Sequence, residues 1–355
     1  KGRAMTDTAG EWQGAAAQEA GFDPGLERKL RAGIEAGLLR DVHGVLLSRG
    51  GRLVLEHYWA GPDESWGRSL GTVAFDAQTL HDLRSVTKSV TSLLYGIALD
   101  RGLVPPPDAP LLAQFPEYPD LAADPARAGQ TIGHALSMTL GLAWDETRSY
   151  ADPLNSEIAM ESAPDRYRFA LEQPVVAAPG TRWVYSGGAT AVVGAMIERG
   201  TGRGIADFAH EARFEPLGIS RFEWLHGPDG VASPASGLRL TARDLLTIGR
   251  LVLQGGVAGG RQVVSPEWIA AIRTPLVSTD DGLGYGYFWF HGAAPVLGAT
   301  RPWFAGFGNG GQRLWLMPEL DLACVVFSGN YNAPDAWVSP TRIWREIVLA
   351  NLLAA

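Results

Sequence analysis

The stretch from residue 80 to residue 102 reads LHDLRSVTKSVTSLLYGIALDRG, and its pattern bears on both the fold and the chemistry of the chain. Apolar residues recur at helical spacing from Val86 to Ile97, and Gly102 follows soon after the last of them. Such spacing, closed by a glycine, predicts a helix with a glycine stop. Ser85 stands at the start of this helix and Lys88 follows one turn later. The lysine is unusual, because the chain has only three lysines among its 30 basic residues.

The serine and the lysine together indicate a candidate nucleophile and base. Positions i and i+3 share a helix face, so we expect the Ser85 hydroxyl to lie near the Lys88 amine. Burial lowers the pKa of a lysine, and a neutral amine beside a hydroxyl can activate the serine. Arginine cannot lose its proton in a protein, so it could not replace the lysine in this role. The alternative is a capping serine followed by a solvated lysine, and these four residues alone do not decide between the two.

Length and composition narrow the class of protein. A chain of 355 residues favours two subdomains over one core. The net charge of −8 and the lack of a basic run argue against nucleic acid or an anionic membrane as partner, and no apolar stretch predicts a membrane span. The single cysteine, Cys324, excludes an intramolecular disulfide, and its apolar neighbours predict a buried strand position. The compartment stays open between the cytoplasm and, if a signal peptide has been removed, the periplasm or the medium.

Strand signals cluster at the two ends of the chain and helix signals in the middle. A helix is expected after Asp23 as its N-cap, and a hairpin around residues 49–52. Further strands are predicted at 285–290, 312–319 and 321–330, and a closing helix at 339–354. The predicted fold class is α+β (multi-domain α/β), with an antiparallel sheet flanked by helices and a mainly helical domain. The predicted domains are a sheet domain at 20–104 and 237–355, a helical insert at 105–236, and an N-terminal extension at 1–19 that partly derives from cloning.

Three further stretches complete a family pattern. They are PGTRWVYSGGATAVVGAMIERGTG from residue 179, SGLRLTARDLLTIGRLVLQGG from residue 236 and GFGNGGQRLWLMPELDLACVVFSGN from residue 306. With the opening stretch, they resemble the serine β-lactamase and penicillin-binding-protein superfamily, whose S-x-x-K element has a known role. The resemblance is strongest to the class C-related branch, with its family VIII-type esterases, D-aminopeptidases and 6-aminohexanoate-dimer hydrolases. It spans roughly residues 20–350, with the motifs in the expected order.

The resemblance implies a set of site residues. Ser85 would be the acylated nucleophile, Lys88 its partner, and Tyr185 the general base and acid. We expect the Lys88 cation to lower the pKa of Tyr185, so that a phenolate takes the serine proton. The backbone N–H groups of Ser85 and Gln312 would form the oxyanion hole, and Asn309-Gly310-Gly311 would border the substrate. The scheme requires no metal and no organic cofactor.

Two departures from the family pattern bear on the substrate. Gly187 replaces the asparagine of the Y-x-N element, so the amide contact of that asparagine is lost. Asn309 replaces the lysine of the K-T-G element, which helps to hold a β-lactam carboxylate in relatives, and no lysine follows Lys88. Strong β-lactamase activity is therefore in doubt, and small esters or amides become better candidates. Arg313 carries the positive charge that a substitute would need, but the alternation of a strand predicts that its side chain points elsewhere.

The loop GLAWDETRSYADPLNSEIAM, from residue 141, lies near the site in the family. Trp144 and Tyr150 are predicted to contact substrate, with Asp145 and Asn155 as further candidates. The alternative is a solvated loop with buried aromatic residues. For the Trp289-Phe290 pair, core packing is preferred to a place in the pocket.

Other motifs carry less weight. GFGNGG at 306–311 is followed by a strand-like segment instead of a helix, so a phosphate cradle is not predicted, and HEARF at 210–214 lacks the second histidine of a zinc motif.

The leading prediction is a β-lactamase-like serine hydrolase that forms an acyl-enzyme with small ester or amide substrates, with β-lactams left open. The alternatives are a true β-lactamase or D-stereospecific peptidase, and a non-catalytic penicillin-recognising binding or sensor domain.

Overall fold

The structure, a computed structural model, describes residues 12–354, so much of the predicted N-terminal extension lies outside the described residues. Its helices are α1 Leu26–Glu35, α2 Val86–Asp100, α3 Pro119–Ala122, α4 Ile132–Leu136, α5 Ser156–Glu161, α6 Arg166–Leu171, α7 Gly187–Thr201, α8 Ile205–Ala209, α9 Ala242–Leu253, α10 Pro266–Ile272 and α11 Val338–Arg342. Its strands are β1 Val42–Arg49, β2 Arg52–Tyr58, β3 Ala60–Ser65, β4 Arg68–Ala74, β5 His81–Asp82, β6 Glu223–Trp224, β7 Leu238–Leu240, β8 Val257–Ala258, β9 Arg261–Gln262, β10 Val277–Ser278, β11 Gly284–Gly286, β12 Trp289–Val296, β13 Ala299–Gly308, β14 Gln312–Met317 and β15 Leu322–Ser328.

An antiparallel sheet joins the two ends of the chain. Its strand order is β10-β11-β12-β13-β14-β15-β1-β2, and Val45 of β1 pairs with Val326 of β15. The predicted hairpin is β1–β2, and its turn uses Gly50 and Gly51 at φ 55° and 70°, where glycine is unstrained. The α+β fold class is therefore confirmed. Smaller sheets are formed by β3-β4, by β5-β7-β6 and by β8-β9.

The large sheet is buried on both faces. Leu46 and Leu314 belong to a core that includes α2 and α7, whereas Trp315 and Cys324 belong to a second core with α1 and the helical segment 343–351 that follows α11. Burial on both faces explains why these strands read as continuous apolar runs instead of alternating ones. Cys324 is fully buried in β15, as its neighbours predicted.

Helix α2 is the central element of the fold. Every residue from Val86 to Ala98 is buried, because the helix lies between β13 of the sheet and α7 of the helical region. Val104 and Leu111, on either side of the predicted domain boundary, belong to the same continuous core. The division into domains thus stays a prediction. Among residues 12–354, no helix combines the length and apolar character that a membrane crossing requires.

Two local predictions were wrong. Residues 285–290 do not form one strand, because Tyr287 and Phe288 have φ values of 46° and 66° and separate β11 from β12. Tertiary hydrogen bonds hold this break: Phe288 N donates to the Leu136 carbonyl at 3.0 Å, and Ser89 Oγ donates to the Phe288 carbonyl at 2.8 Å. Asp23 is not the N-cap of α1, which begins at Leu26; its carboxylate accepts from Gly25 N at 2.6 Å.

Candidate active site

Ser85 and Lys88 meet at the N-terminus of α2. Ser85 is the N-cap residue, and Lys88 Nζ donates to Ser85 Oγ at 3.1 Å. Lys88 is 1% exposed and also donates to the Ala235 carbonyl at 3.1 Å, which fixes its ammonium group. The structure excludes the alternative of a solvated lysine.

A strained turn positions the serine. Arg84, the residue before it, has φ 48°, a region that residues other than glycine seldom adopt. Its guanidinium contacts Asp82 Oδ2 at 3.3 Å and lies 4.8 Å from the centroid of the Tyr331 ring. The end of β13 passes close by, because a Cβ on Gly308 would lie 2.4 Å from the Leu83 carbonyl oxygen. These contacts hold the turn in place.

Tyr185 reaches the same point from the start of α7. Ser186 caps this helix by accepting from Ala189 N at 3.0 Å, which fixes the chain direction at Tyr185. Lys88 Nζ lies 4.8 Å from the centroid of the Tyr185 ring, and the Tyr185 hydroxyl lies close enough to Ser85 and Lys88 for both to lower its pKa. Three residues that are distant in sequence thus converge.

The protonation states differ from those predicted. Burial lowers the pKa of Lys88, but the interactions with Tyr185, Glu157 and Glu146 raise it by more, and the net pKa lies above the ordinary value. Burial raises the pKa of Tyr185 by more than the Lys88 charge lowers it. Both pKa directions are opposite to those expected from the sequence. The raised pKa values favour the protonated forms, an ammonium group and a neutral phenol.

Two acidic residues that the sequence did not single out lie beside these groups. Glu146 Oε1 accepts from the backbone N of Gly187 and from Trp144 Nε1, the latter at 2.6 Å. Glu146 Oε2 accepts from the Tyr150 hydroxyl at 3.0 Å. Trp144 and Tyr150, both predicted to contact substrate, are therefore bound to this carboxylate.

Glu157 occupies space that Gly187 leaves open. A Cβ on Gly187 would lie 2.8 Å from the Glu157 carboxyl carbon, so an asparagine could not fit here unless Glu157 moved. Glu157 is 6% exposed, and burial, followed by the charge of Glu146, raises its pKa to about 8 although Lys88 opposes this. The only sequence signal for this arrangement was the glycine at the third position of the Y-x-N element.

A cleft of about 470 Å³ opens in front of Ser85. Of the predicted substrate-binding residues, Tyr150 and Asn309 line it, whereas Gly187 does not. Trp144 instead lines a separate cavity beside α7. The remaining lining residues are Glu64, Trp66, Gly67, Arg84, Ala151, Glu157, Ile158, Glu161, Pro228, Ser236 and Asn332.

The segment that replaces the K-T-G element forms the turn between β13 and β14. Asn309 exchanges two hydrogen bonds with Asn332, at 3.0 and 2.8 Å, so its amide is already engaged. Gly310 and Gly311 have φ values of 84° and 95° and make the turn without lining the cleft. Gln312 begins β14, and its side chain is fully buried away from solvent.

The other candidates serve the fold. Asn155 is fully buried and caps α5. The Asp145 carboxylate accepts from Thr147 N within the same exposed loop. Trp289 is a core residue, and Phe290 stacks on another phenylalanine at a centroid distance of 4.8 Å. Arg313 donates to two backbone carbonyls at 3.0 and 2.8 Å and does not line the cleft, as strand alternation predicted.

Comparisons with known proteins agree with this geometry. The chain is 26% identical over 333 residues to a 6-aminohexanoate-dimer hydrolase of Paenarthrobacter ureafaciens, covering 87% of this chain and 76% of that protein. It is 30% identical over 213 residues to the esterase EstB of Burkholderia gladioli, covering 58% of this chain and half of that protein's length. The crystal structure of a family VIII carboxylesterase superposes with a TM-score of 0.68 at 17% identity, covering 94% of this chain and 99% of that one. The sequence profile of the family described as Beta-lactamase matches residues 27–345, and the chain belongs to that family.

Proposed function

We propose that this protein hydrolyses small esters or amides through an acyl-enzyme formed on Ser85. The observation that supports the proposal is that Lys88 Nζ, at 3.1 Å from Ser85 Oγ, and the Tyr185 ring lie behind the serine, which itself lines the cleft. Relatives named as an esterase and as a 6-aminohexanoate-dimer hydrolase support the reaction class. Ser85 Oγ attacks the carbonyl carbon, the leaving group departs with a proton, and water then releases the acyl group.

The number of protons held by Ser85, Lys88 and Tyr185 sets a condition on the attack by Ser85 Oγ. Ser85 must give up its proton, but Lys88 is an ammonium and Tyr185 a neutral phenol at rest. The three groups therefore hold one proton too many. Its loss leaves either a Lys88 amine or a Tyr185 phenolate beside Ser85 Oγ, and either one can act as general base. The Tyr185 hydroxyl then donates a proton to the leaving group.

Backbone donors are the proposed oxyanion hole. Ser85 N lies at the N-terminus of α2 and has no hydrogen-bond acceptor among the residues that the structure describes. Gln312 N lies at the start of β14, across the turn that borders the cleft. Donors fixed by a helix end and a strand need no rearrangement when negative charge develops on the carbonyl oxygen.

The charges in the cleft favour acyl groups that lack a carboxylate. Arg84 is paired with Glu64 and Asp82, so this cation in the cleft wall is already neutralised. Glu161, another residue of the cleft wall, is paired with Arg166, and Asn309 offers no positive charge. A substrate carboxylate would lose its hydration without gaining an unpaired cation, whereas a neutral acyl group would not. The protein is therefore proposed to be a poor β-lactamase.

A matched series of esters tests the substrate preference. The p-nitrophenyl esters of pentanoate, 5-(trimethylammonio)pentanoate and adipate differ mainly in the charge at the far end of the acyl chain. We expect kcat/KM for the anionic ester to be at least about tenfold below that of the neutral ester, and the cationic ester to be no worse than the neutral one. Faster turnover of the adipate ester, or of the carboxylate-bearing β-lactam nitrocefin, would support the true β-lactamase or peptidase instead.

Covalent labelling separates an enzyme from an inert binding domain. A fluorophosphonate should add one label to the wild type and none to Ser85→Ala, as measured by intact mass. Ser89→Ala is the matched control, because Ser89 lies in the same helix but donates to the Phe288 carbonyl at 2.8 Å. Absence of a label on the wild type, or labelling without ester turnover, would favour the sensor alternative.

A further inference from the structure

A second buried polar cluster lies apart from the catalytic residues, where β1, β3 and β5 meet. It consists of His43, Asp63 and His81, with one potential ligand atom from each and all three atoms within 4.8 Å of one another. His43 and His81 are fully buried and Asp63 is 5% exposed. His43 Nδ1 and His81 Nε2 are 2.9 Å apart, and Asp63 Oδ1 lies 3.8 Å from His81 Nε2.

The outer ring nitrogens decide where the protons are. His81 Nδ1 lies 3.0 Å from the carbonyl oxygen of Asp82, so this nitrogen must carry a proton to form a hydrogen bond. His43 Nε2 is buried and makes no hydrogen bond with the residues that the structure describes. In a neutral His81 ring the Nε2 atom is then unprotonated, and its lone pair is directed towards His43 Nδ1. With the His43 proton on Nε2, both inner nitrogens are free to bind one metal ion.

No neighbouring side chain supplies an unpaired positive charge to the Asp63 carboxylate. The nearest guanidinium groups, Arg84 and Arg239, are paired with Asp82. Asp63 has no lysine or arginine partner in the part of the chain that the structure describes, and its Oδ2 is buried without a hydrogen bond.

We propose that His43 Nδ1, His81 Nε2 and the Asp63 carboxylate bind a divalent transition-metal ion of the Zn²⁺ type. Two imidazoles and one carboxylate are a ligand set that Zn²⁺ accepts, with metal–ligand distances of about 2.0–2.2 Å. Mg²⁺ and Ca²⁺ prefer oxygen ligands and fit less well. Asp63 Oδ2, which has no other partner, is available as a further ligand atom.

The surroundings are built to hold the two rings in place. His43 stacks on Phe75 at 4.2 Å and His81 stacks on Phe327 at 4.5 Å. Gly329 admits the edge of the His43 ring, because a Cβ there would lie 2.6 Å from Nε2. The hydrogen bond between His81 Nδ1–H and the Asp82 carbonyl fixes the tautomer that points the Nε2 lone pair inward. The Tyr331 hydroxyl donates to Asp63 Oδ1 at 2.9 Å and orients the carboxylate in the same way.

The site is structural in character, since it is closed to solvent and distinct from the Ser85 cleft. It ties together β1, β3 and β5, and β5 leads directly into the turn at Arg84. Because the ligand atoms are buried, the ion would enter during folding. Its loss should therefore lower the melting temperature and loosen the segment that precedes Ser85.

Metal content tests the proposal directly. The wild-type chain is produced in defined medium with added Zn²⁺ and, separately, with Co²⁺, then freed of loosely bound metal by gel filtration. We expect about one metal ion per chain by mass spectrometry and, for Co²⁺, the visible d–d absorption of a tetrahedral site with nitrogen and oxygen ligands. His43→Gln, Asp63→Asn and His81→Gln should each lose at least about tenfold in bound metal.

Two control variants distinguish this site from metal bound elsewhere on the chain. His57→Gln should keep the metal, because His57 lies outside the cluster, with Nδ1 3.6 Å from a Glu27 carboxylate oxygen. Ser85→Ala should also keep it, so failure of the hydrolase proposal and failure of the metal proposal are distinguishable.

Zinc-free protein should melt at least about 5 °C below the loaded protein.

If the ligand variants do not fold, anomalous scattering from crystals of the Co²⁺-grown wild type decides the matter. A peak within about 2.2 Å of His43 Nδ1, His81 Nε2 and Asp63 is the expected result. Wild-type protein with less than about 0.1 ion per chain, or metal bound elsewhere and kept by the ligand variants, would overturn the proposal. The two histidines would then be a hydrogen-bonded pair only.

Discussion

The two buried polar clusters at either end of the segment from His81 to Lys88 differ in their source of positive charge. The catalytic cluster contains its own cation, Lys88, beside Tyr185 and Glu157. The cluster of His43, Asp63 and His81 brings only electron-pair donors together. A buried charge is tolerated when an opposite charge or good hydrogen bonds accompany it. The first cluster is complete with the amino acids of this chain, whereas the second indicates an ion from outside.

Removal of the internal cation should have the largest effect. Lys88→Ala should lower kcat/KM for p-nitrophenyl pentanoate at least about 10³-fold, because both the charge and a proton-transfer group are lost. Lys88→Arg should be equally inactive, since arginine keeps its proton and the packed site lacks room for it. Lys29→Ala, which removes a partly exposed lysine paired with Asp23, is the control. Near-normal activity of Lys88→Arg would mean that Lys88 serves only as a charge.

Removal of the phenol from the same cluster should cost somewhat less. Tyr185→Phe keeps the ring beside Lys88 Nζ but removes the hydroxyl that transfers protons, so kcat should fall about 100-fold or more. Steady-state kinetics with the neutral ester measures this fall. Tyr285→Phe is the matched control, because Tyr285 is also buried, near Tyr185. Equal effects of the two variants would assign Tyr185 a packing role only.

Glu157 should make the free energy of unfolding depend on pH. The pKa of Glu157 is raised to about 8, so between its ordinary value and 8 the folded chain binds a proton that the unfolded chain has released. Stability from this group is thus present at low pH and lost as pH rises. Relative to the wild type, the stability of Glu157→Gln should increase by up to about 5 kcal/mol as pH rises from about 4.5 to about 8.5, as measured by urea unfolding.

The exposed Asp145→Asn is the control for the same experiment, since Asp145 lies in the loop on the other side of the site. Its unfolding free energy should follow the wild type across the pH range. Parallel curves for wild type and Glu157→Gln would show that Glu157 has an ordinary pKa.

The pH dependence of catalysis tests whether Lys88 or Tyr185 must lose a proton before Ser85 can attack. Because the pKa values of Lys88 and Tyr185 are both raised, the reactive form with one proton fewer is scarce at neutral pH. We expect kcat/KM for the neutral ester to increase about tenfold per pH unit through neutral and mildly alkaline pH. A flat profile across this range would show that the resting site already contains a free base.

The ligand substitutions in the second cluster should change catalysis least. His81→Gln removes a proposed metal ligand but no group that touches the substrate. We expect kcat/KM to fall less than about tenfold while the melting temperature drops. The two clusters would not be separate if His81→Gln abolished acylation without changing the melting temperature or the metal content.

The sequence predicted the parts of the fold that local patterns determine. Helix α2, the β1–β2 hairpin and the buried position of Cys324 follow from periodicity, turn glycines and apolar neighbours. The break at Tyr287 and Phe288 did not, because hydrogen bonds to α2 and α4 impose it and no local signal marks it. Propensity gives way to tertiary contacts at such points.

The site was predictable to a similar degree. The family motifs pointed to Ser85, Lys88 and Tyr185, and the structure brings all three together. The directions of the pKa shifts were not predictable, because they depend on how deeply the fold buries Lys88, Tyr185 and Glu157. The cluster of His43, Asp63 and His81 was also invisible in the sequence, since its members come from three strands.

The central claim is that Ser85 becomes acylated during turnover. The measurement that tests it most directly is rapid-quench intact mass spectrometry of the wild type mixed with p-nitrophenyl pentanoate, followed by peptide mapping. We predict a transient mass increase of one pentanoyl group on the peptide that contains Ser85, formed in step with the first release of p-nitrophenol. Steady ester hydrolysis with no acylated chain, or with the acyl group on another residue, would contradict the account.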